Sequence, residues 1–286
     1  MIQRVNSLSV FGLGLIGGSF ALVVKTQFPD IKIYGVDQNP DHAKKALELN
    51  LIDEIKSSND IEVLESDLII LATPVNAIKE ILPQLLSNIS SNSVVLDTGS
   101  TKSSICKTVK NHPKRSQFVA AHPIAGTEYS GPEAAFANLF NSKKNIICEF
   151  ELCSDQSKKR AKWLFELVNM DNIYMDAESH DKHLAYVSHL SHISSFMLGL
   201  TVLNIENDEK NIFNLAGSGF ESTVRLAKSS PDMWAPIFQQ NKSYLSKALD
   251  EYILQLQQFQ EQLKTENVEE MKALMQKANE IRKVLE

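Results

Sequence analysis

Cysteine is scarce in this chain of 286 residues, and the few that occur do not suggest a disulfide scaffold. Cys106, Cys148 and Cys153 form no Cys-x-x-Cys pair, and their odd number argues against a framework of disulfides. No signal peptide precedes the first apolar strand, which begins near residue 7. We therefore expect three reduced thiols in a cytoplasmic protein.

A basic surplus and long apolar runs are also lacking. The chain has 29 lysines and arginines against 35 aspartates and glutamates, and this net charge of −6 does not favour binding to nucleic acid. No apolar run approaches the ~20 residues of a membrane-spanning helix, so we expect no membrane association. Hydrophobic residues make up 43% of the chain, enough for a substantial core in two domains.

What the first half does contain is a regular alternation of strand and helix patterns. Such alternation predicts the α/β class, a mostly parallel sheet with helices on both faces. We predict a Rossmann-type dinucleotide-binding domain over residues 1–175. Its strands are predicted at 7–11, 31–36, 67–72, 93–97, 117–121 and 145–150, and its helices near 15–26, 40–49, 75–86, 101–110 and 154–169.

The second half, residues 176–286, carries almost no strand signal. Apolar residues recur at the helical spacing of three and four over 179–204 and 231–263, and the pattern continues to the last residues. We predict an all-α second domain. Its helices have more apolar surface than a small domain can bury alone, so we expect a homodimer formed through this region.

A glycine turn between the first predicted strand and helix indicates a nucleotide site. In Gly12-x-Gly14-x-x-Gly17, the first glycine allows a tight turn and the second lets a pyrophosphate approach the backbone. The third lets the helix pack on the strand. That helix begins at Leu15 and Ile16, where free N–H groups and a partial positive charge favour phosphates. A glycine-rich turn in another kind of α/β protein is the alternative interpretation.

An acidic residue at the end of the second strand identifies the nucleotide more closely. Asp37 lies at the usual offset for a carboxylate that binds the ribose 2′-hydroxyl of NAD. Gln38 and Asn39 follow it, and neither is the arginine or lysine that would receive the additional phosphate of NADP. The sequence therefore predicts NAD as the cofactor, in preference to NADP.

Polar residues follow three more predicted strands, where ligands of open α/β sheets bind. Thr73 and Ser100 are placed to contact the cofactor, although Ser100 is equally suited to cap a helix. His122 is placed to accept a proton, and a structural histidine is the alternative.

The helical half carries further candidates for chemistry. His189 and His192 share one helix face, but no carboxylate or cysteine pair completes a metal site, so we expect no metal and a role in lining a pocket. Arg225 is suited to binding a carboxylate, although a surface salt bridge is the commoner role of such an arginine. Trp234 is by default a buried core residue.

Together these segments resemble the prephenate/arogenate dehydrogenase family of tyrosine biosynthesis. The blocks His-Pro-Ile-Ala-Gly-Thr-Glu (122–128) and Ser-His-Leu-Ser-His (188–192) carry the resemblance most specifically, and it extends over nearly the whole chain. Further matching blocks lie at 12–19, 97–102 and 225–234. The family's reaction is an oxidative decarboxylation with hydride transfer to the nicotinamide.

The resemblance also implies residue roles. His122 takes the proton of the substrate C4 hydroxyl, and Ser100 orients His122 and contacts the nicotinamide. Arg225 binds a substrate carboxylate, and His192 lines the side-chain end of the pocket. The other residues implied at the site are Thr127, Glu128, Gly219, the supporting pair His180-Asp181, and Trp234, which is expected to reach in from a dimer partner.

Several functions stay open at this point. His192 favours prephenate as the substrate, because arogenate-specific members of the family tend to lack this histidine, with arogenate or both as alternatives. Another two-domain dehydrogenase of the β-hydroxyacid type would use a catalytic lysine, for which Lys182 is available. An NAD-sensing module without turnover is the remaining alternative.

Overall fold

The N-terminal part of the protein is built on one mixed β-sheet. The computed structural model describes residues 5–208 and 215–285. Its strands are β1 (Ser7–Phe11), β2 (Lys32–Val36), β3 (Glu54–Ile55), β4 (Leu68–Leu71), β5 (Val94–Asp97), β6 (Phe118–Pro123), β7 (Lys144–Cys148) and β8 (Asp171–Met175). Within the described residues their order is β3-β2-β1-β4-β5-β6-β7-β8, and only β6 and β7 pair antiparallel.

Helices cover both faces of the sheet and make up most of the described residues after β8. In chain order they are α1 (Leu15–Gln27), α2 (Pro40–Glu48), α3 (Ile61–Leu64), α4 (Val75–Asn88), α5 (Ser103–Val109), α6 (Asp155–Leu167), α7 (Ala177–Leu184), α8 (Leu190–Asp208), α9 (Ser218–Val224), α10 (Pro231–Gln240), α11 (Lys242–Lys264), α12 (Val268–Ala278) and α13 (Arg282–Leu285). Short polar side chains cap several of them; Asn39 accepts a hydrogen bond from Asp41 N, and Ser154 from Ser157 N.

Alternate residues of the central strands enter two different cores. In β4, Leu68 and Ile70 pack with residues of α1 and α6, whereas Ile69 and Leu71 pack with residues of α4 and α5. Side chains alternate across a strand, so a strand that is buried on both faces is a continuous apolar run. The arrangement confirms the predicted α/β class and its sheet between two helical layers.

The strand order brings the predicted polar residues to one edge of the sheet. The order β3-β2-β1-β4-β5-β6 places β1 beside β4, and the connections leave these two strands in opposite directions, which opens a crevice between them. Phe11, Leu71 and Asp97 are paired across the sheet, so the turns that follow them lie at the same edge. Asp97 pairs with Ala120, and His122 therefore lies two residues further along β6.

Two strands are not predicted by the sequence pattern. β3 has only two residues, too few for an alternating signal. β8 lies at the sheet edge, and most of its side chains are exposed, so its sequence lacks the apolar pattern of a buried strand.

The predicted helix over 179–204 is interrupted near the site. α7 continues into a π-helical turn over Ala185–His189 and then into α8. A π-helical turn locally alters which side chains share a face, and such turns are frequent at functional sites. The predicted helical region 231–263 likewise divides at Asn241 into α10 and α11.

Apolar side chains remain exposed along the C-terminal helices. On α8 and α11 these include Leu200, Leu203, Leu254 and Leu256. The surface agrees with the predicted excess of apolar area in this region. Among residues 5–208 and 215–285, no helix combines the length and the hydropathy needed to cross a membrane.

Candidate active site

The glycine turn after β1 forms an open cradle at the start of α1. Gly12 has φ 85°, and a Cβ there would lie 2.5 Å from the Ala72 carbonyl oxygen. A Cβ on Gly17 would lie 2.0 Å from the Gly12 carbonyl oxygen, so both positions require glycine. In contrast, a Cβ on Gly14 would meet only Gly131 N, at 4.0 Å. Backbone crowding on one side and open space on the other are the geometry of a phosphate cradle.

The N-terminus of α1 faces this cradle without a side-chain cap. Gly14 is its N-cap residue, and its first turn contains no acidic side chain. Leu15 and Ile16 are partly buried and pack against the hydrophobic core, and their backbone N–H groups lie in the first turn of the helix. A bound anion would satisfy the free N–H groups and interact favourably with the helix dipole.

Asp37 is held in a fixed orientation at the end of β2. Its Oδ2 accepts a hydrogen bond from Leu13 N at 2.8 Å, and its Oδ1 accepts one from Asn39 N at 2.9 Å. Each carboxylate oxygen keeps acceptor capacity for ribose hydroxyls. The cavity beside it has a volume of about 350 Å³ and is lined by Asp37, Gln38, Pro40, Ala43, Ile55, Lys56, Ser57 and Asp60.

Thr73 provides a further polar group next to the cradle. Its hydroxyl oxygen is buried and has no hydrogen-bond partner in the protein. Buried polar groups in proteins are normally satisfied, so this atom indicates a missing ligand or water. The cradle, the Asp37 carboxylate and the Thr73 hydroxyl together fit a dinucleotide.

His122 belongs to a buried chain of three side chains. Its Nδ1 lies 2.8 Å from His180 Nε2, and His180 Nδ1 lies 2.8 Å from Asp181 Oδ1. Asp181 also accepts hydrogen bonds from Lys102 N at 2.7 Å and Ser103 N at 2.9 Å. Burial raises the pKa of Asp181, but these hydrogen bonds and the neighbouring His180 outweigh it, and the net effect lowers the pKa.

The chain of hydrogen bonds assigns the proton positions of both histidines. Asp181 is an ionised acceptor, so His180 Nδ1 must donate to it, and His180 Nε2 must then accept. His122 Nδ1 therefore donates to His180, and the lone pair of His122 is on Nε2. Burial, with the charges of His180 and Lys102, lowers the pKa of His122 well below 6.5. His122 is thus a neutral imidazole with an available acceptor.

The expected contact between Ser100 and His122 is not formed. No hydrogen bond joins them in the described part of the chain, and His180 fixes the ring of His122 instead. Ser100 follows the end of β5 and lies close to His189. Burial lowers the pKa of His189 to about 4, although Asp181 and the Ser100 carbonyl oppose the shift.

A fully buried ion pair lies beneath His122. Lys102 Nζ donates to Asp97 Oδ2 and, at 2.7 Å, to the carbonyl oxygen of Ala121. Asp97 also accepts from Gly99 N at 3.0 Å and from Ala121 N at 3.2 Å. The pair therefore joins the end of β5 to the residue that precedes His122. The sequence indicates the 97–102 block but gives no sign that Asp97 and Lys102 are paired.

A second group of predicted residues meets on the helical side. The ring of His192 stacks on Trp234, with centroids 3.4 Å apart and planes inclined by 27°. Arg225 Nη1 lies 3.6 Å from Glu128 Oε2, and half of the Arg225 side chain is exposed. Burial lowers the pKa of His192, and the nearby charge of Arg225 adds to this effect. The structure thus brings together one histidine, one tryptophan and one ion pair.

Trp234 lies beside His192 of its own chain. It stacks on that ring and is 7% exposed, as expected of a buried core tryptophan, and a contribution from a dimer partner stays a prediction. Its Nε1 is buried without a hydrogen-bond partner, and this leaves an N–H donor available.

The other predicted border residues are less closely held. Thr127 lies in the loop after β6, where its hydroxyl accepts from Tyr129 N at 3.2 Å. Gly219 is an exposed residue of α9, and a Cβ there would meet nothing within 4 Å. The contacts within the chain do not require threonine at position 127 or glycine at position 219.

Two polar residues at the end of α10 make hydrogen bonds to distant segments, and the sequence pattern gives no signal for either. Asn241 Nδ2 donates to the Asp181 carbonyl oxygen at 2.7 Å and lies 3.0 Å from His189 Nδ1. Gln240 Oε1 accepts from Thr101 Oγ1 at 2.8 Å. Lys182, in contrast, is exposed on α7, which disfavours it as a catalytic lysine.

No cluster of His, Cys, Asp and Glu that could hold a metal occurs in the described residues. The Rossmann-type fold and the residues along the crevice between β1 and β4 define the class of protein. It is a dinucleotide-dependent dehydrogenase with a helical second part.

Comparisons with known proteins agree with this class. The profile for the nucleotide-binding domain of prephenate dehydrogenase matches residues 20–174, and that for its dimerization domain matches residues 176–277. The chain belongs to the prephenate dehydrogenase family, a family of NAD-dependent oxidoreductases.

Individual relatives are similar over most of their length. The prephenate dehydrogenase of Bacillus subtilis is 32% identical over 273 residues, 95% of this chain and 74% of that protein. The cyclohexadienyl dehydrogenase of Zymomonas mobilis is 30% identical, over 87% of this chain and 85% of that protein. The crystal structure of prephenate dehydrogenase from A. aeolicus with hydroxyphenyl propionate and NAD+ has a TM-score of 0.89 and 32% identity, and all of both chains is covered.

Proposed function

We propose that the protein oxidises and decarboxylates prephenate to 4-hydroxyphenylpyruvate, a step of tyrosine biosynthesis, with NAD as the cofactor. When bound, NAD accepts the hydride that leaves C4 of the substrate ring. The C4 hydroxyl becomes a carbonyl, the ring carboxylate leaves as CO2, and its bonding electrons complete the aromatic ring. The observation that carries the proposal is the histidine chain that leaves His122 Nε2 as a neutral acceptor at the carboxyl edge of the sheet.

His122 is the proposed general base. It accepts the proton of the C4 hydroxyl at Nε2 and returns it to the oxygen of the phenol after CO2 is lost. His180 and Asp181 hold the imidazole in the tautomer that makes this possible, and Asp181 stabilises the positive charge that develops. Ser100, which follows β5, is proposed to contact the nicotinamide end of the cofactor.

The cofactor is proposed to bind along the edge from β2 to β4. Gly12 and Gly17 shape the turn, and Gly14 with the N–H groups of Leu15 and Ile16 binds the pyrophosphate. Asp37 accepts hydrogen bonds from the adenosine ribose, and Thr73 donates its hydroxyl to the bound cofactor. The fixed Asp37 carboxylate supports a preference for NAD over NADP.

Substrate carboxylates are proposed to bind on the helical side. Arg225 pairs with Glu128 in the free protein and exchanges that partner for a carboxylate, which offers a more favourable bidentate geometry. The Trp234 N–H is an unused donor for the side-chain end of the substrate. Thr127 and Gly219 are proposed to border the same space.

Arogenate is the second candidate substrate. The family resemblance links His192 with prephenate, but the hydrogen bond that His192 makes suits arogenate. His192 Nδ1 lies 3.0 Å from the Ser188 carbonyl oxygen, to which it donates, so neutral His192 presents an acceptor at Nε2. An acceptor suits the ammonium of arogenate, whereas the keto group of prephenate needs a donor such as Trp234. Replacement His192→Val distinguishes the two substrates. Loss of arogenate turnover alone would mean that His192 Nε2 accepts from the ammonium of arogenate. An unchanged preference would mean that His192 has no part in substrate choice.

Turnover by the purified protein tests the proposal. NADH formation is followed with prephenate and with arogenate, each with NAD and with NADP, and the products are identified by chromatography. Prephenate turnover with NAD, giving 4-hydroxyphenylpyruvate, is the expected result. Binding of NAD without turnover of either substrate would contradict the reaction and favour a sensor.

The quaternary structure and location are further parts of the proposal. We propose a boundary between residues 175 and 176, with a homodimer formed through residues 176–286. The exposed apolar side chains of α8 and α11 support the dimer. Light scattering after size exclusion is expected to give twice the chain mass, and the mass of one chain would contradict it. A cytoplasmic location is supported by the three free, buried cysteines, and cell fractionation tests it.

A further inference from the structure

The cavity beside Asp37 contains a cation that the sequence pattern does not reveal. Lys56 follows β3, and its N–H donates to the Gly35 carbonyl oxygen at 2.9 Å, which places it next to the end of β2. The register of β2 and β3 continues to place Lys56 opposite Val36, one residue before Asp37, and neighbouring strands lie about 4.8 Å apart. Both residues line the same cavity.

Two glutamates hold the Lys56 ammonium. Its Nζ lies 2.7 Å from Glu62 Oε1 and 3.2 Å from Glu54 Oε2, and the side chain is 17% exposed. Hydrogen bonds to Glu62 and then to Glu54 raise the pKa of Lys56 to about 12. The ammonium also lies 5.7 Å from the centroid of the Tyr34 ring. The lysine is therefore protonated, and the two carboxylates hold its ammonium in place and balance its charge.

We propose that Glu54 and Glu62 act with Asp37 to exclude NADP, because they bind the ammonium of Lys56, the one lysine among the described residues that line the cavity, and so keep it from a ribose 2′-phosphate. The inference rests on the dinucleotide site assigned above. Asp37 alone repels a 2′-phosphate, but a free lysine in the same cavity would offset this repulsion through a charge-assisted hydrogen bond. With Lys56 held by two carboxylates, the phosphate meets uncompensated negative charge from Asp37 and Asp60.

Equilibrium binding of NADPH, measured by its fluorescence in the absence of substrate, tests this mechanism. In Asp37→Ser, the repulsive carboxylate is gone but Lys56 remains clamped, so we expect only a small gain in NADPH affinity. Adding Glu54→Gln and Glu62→Gln frees the ammonium and is expected to raise the affinity about tenfold or more over Asp37→Ser. Adding Lys56→Met to this triple variant is expected to remove the gain.

A matched control removes the same number of charges elsewhere. Glu269→Gln and Glu280→Gln, each from an exposed i,i+3 pair with a lysine on the C-terminal helices, are combined with Asp37→Ser. NADPH affinity in this control should stay within about twofold of Asp37→Ser. An equal gain in the control, or a gain that persists after Lys56→Met, would overturn the proposal.

Two additional measurements keep the test decisive. If the triple variant does not fold, Asp37→Ser with Glu62→Gln replaces it, since Glu62 makes the shorter contact with Lys56. An NADPH affinity unchanged in that variant would also overturn the proposal. NAD binding to the unaltered protein is measured in parallel; its absence would refute the dinucleotide site itself, whereas intact NAD binding with no effect of the glutamates refutes only the role of Lys56.

Discussion

Replacing Asp181 with asparagine removes the charge that fixes the histidine chain. Asp181 Oδ1 accepts from both His180 Nδ1 and Lys102 N, and Oδ2 accepts from Ser103 N, so the single amide oxygen of asparagine cannot serve all three donors. If the amide NH2 faces His180, the ring must accept at Nδ1 and donate from Nε2. His122 Nδ1 then accepts, and its proton moves to Nε2, where the base is needed.

The magnitude follows from what the chain loses. A correctly placed general base contributes about 10²–10⁴ in rate, so we expect kcat to fall by about 10²–10³ in Asp181→Asn. Loss of charge-assisted hydrogen bonds is expected to lower the free energy of unfolding by about 2–4 kcal/mol. NAD affinity should hardly change, because Asp181 lies outside the glycine turn and the Asp37 cavity.

Steady-state kinetics and nitrogen NMR of the histidines together provide the assay. In the unaltered protein the His122 signal should be that of a ring protonated at Nδ1, and in Asp181→Asn that of a ring protonated at Nε2. Asp176→Asn is the matched control, since Asp176 likewise accepts a backbone hydrogen bond, from Ser179 N at 2.8 Å, but is exposed and takes no part in the histidine chain. A kcat in Asp181→Asn within about threefold of the control, or an unchanged tautomer, would refute the reasoning.

Three further predictions concern pH and charge. Because its pKa is lowered, His122 stays neutral in the free enzyme well below pH 6.5, so kcat/KM should be flat from pH 8 to 6.5 and fall only in stronger acid. The unfolded chain takes up this proton at a higher pH than the folded protein, so stability measured by denaturant should decrease as the pH drops below 6.5. A midpoint of kcat/KM at or above pH 6.5 would contradict the burial argument. Lys102→Met should cost about 3–5 kcal/mol of stability and Asp97→Asn/Lys102→Met clearly less, whereas equal losses in chemical denaturation would mean that the charges are not coupled. Arg225→Ala should raise KM for prephenate at least about tenfold with a smaller change in kcat, while Glu128→Gln should leave the arginine available and spare KM; an unaltered KM in Arg225→Ala would place the carboxylate elsewhere.

Local patterns were sufficient to predict which candidate residues lie at the carboxyl edge of the sheet. The glycine turn, Asp37 and His122 each lie at the end of a strand whose apolar run is clear in the sequence, and parallel strands bring such ends to one edge. Lys56 was not predictable because β3 is too short to leave a pattern. The Lys56 clamp therefore required the sheet order before it could be recognised.

Contacts between distant segments explain what the sequence could not predict at the catalytic end. His180 meets His122 because α7 packs across the end of β6, a contact between residues 58 positions apart. The π-helical turn before His192 and the break at Asn241 decide which side chains face the cleft, and neither has a signature in the spacing of apolar residues. The stacking of Trp234 on His192 is likewise a contact between distant segments, α10 and α8, that the spacing of apolar residues does not reveal.

The most direct test of the central claim is the turnover of prephenate by His122→Asn, measured beside its affinity for NAD. The account predicts that kcat falls by about a hundredfold or more, because asparagine cannot take up the proton, while the dissociation constant for NAD stays within about twofold of the unaltered protein. A kcat reduced by less than about threefold would contradict the account, because the proton of the C4 hydroxyl would then have another acceptor.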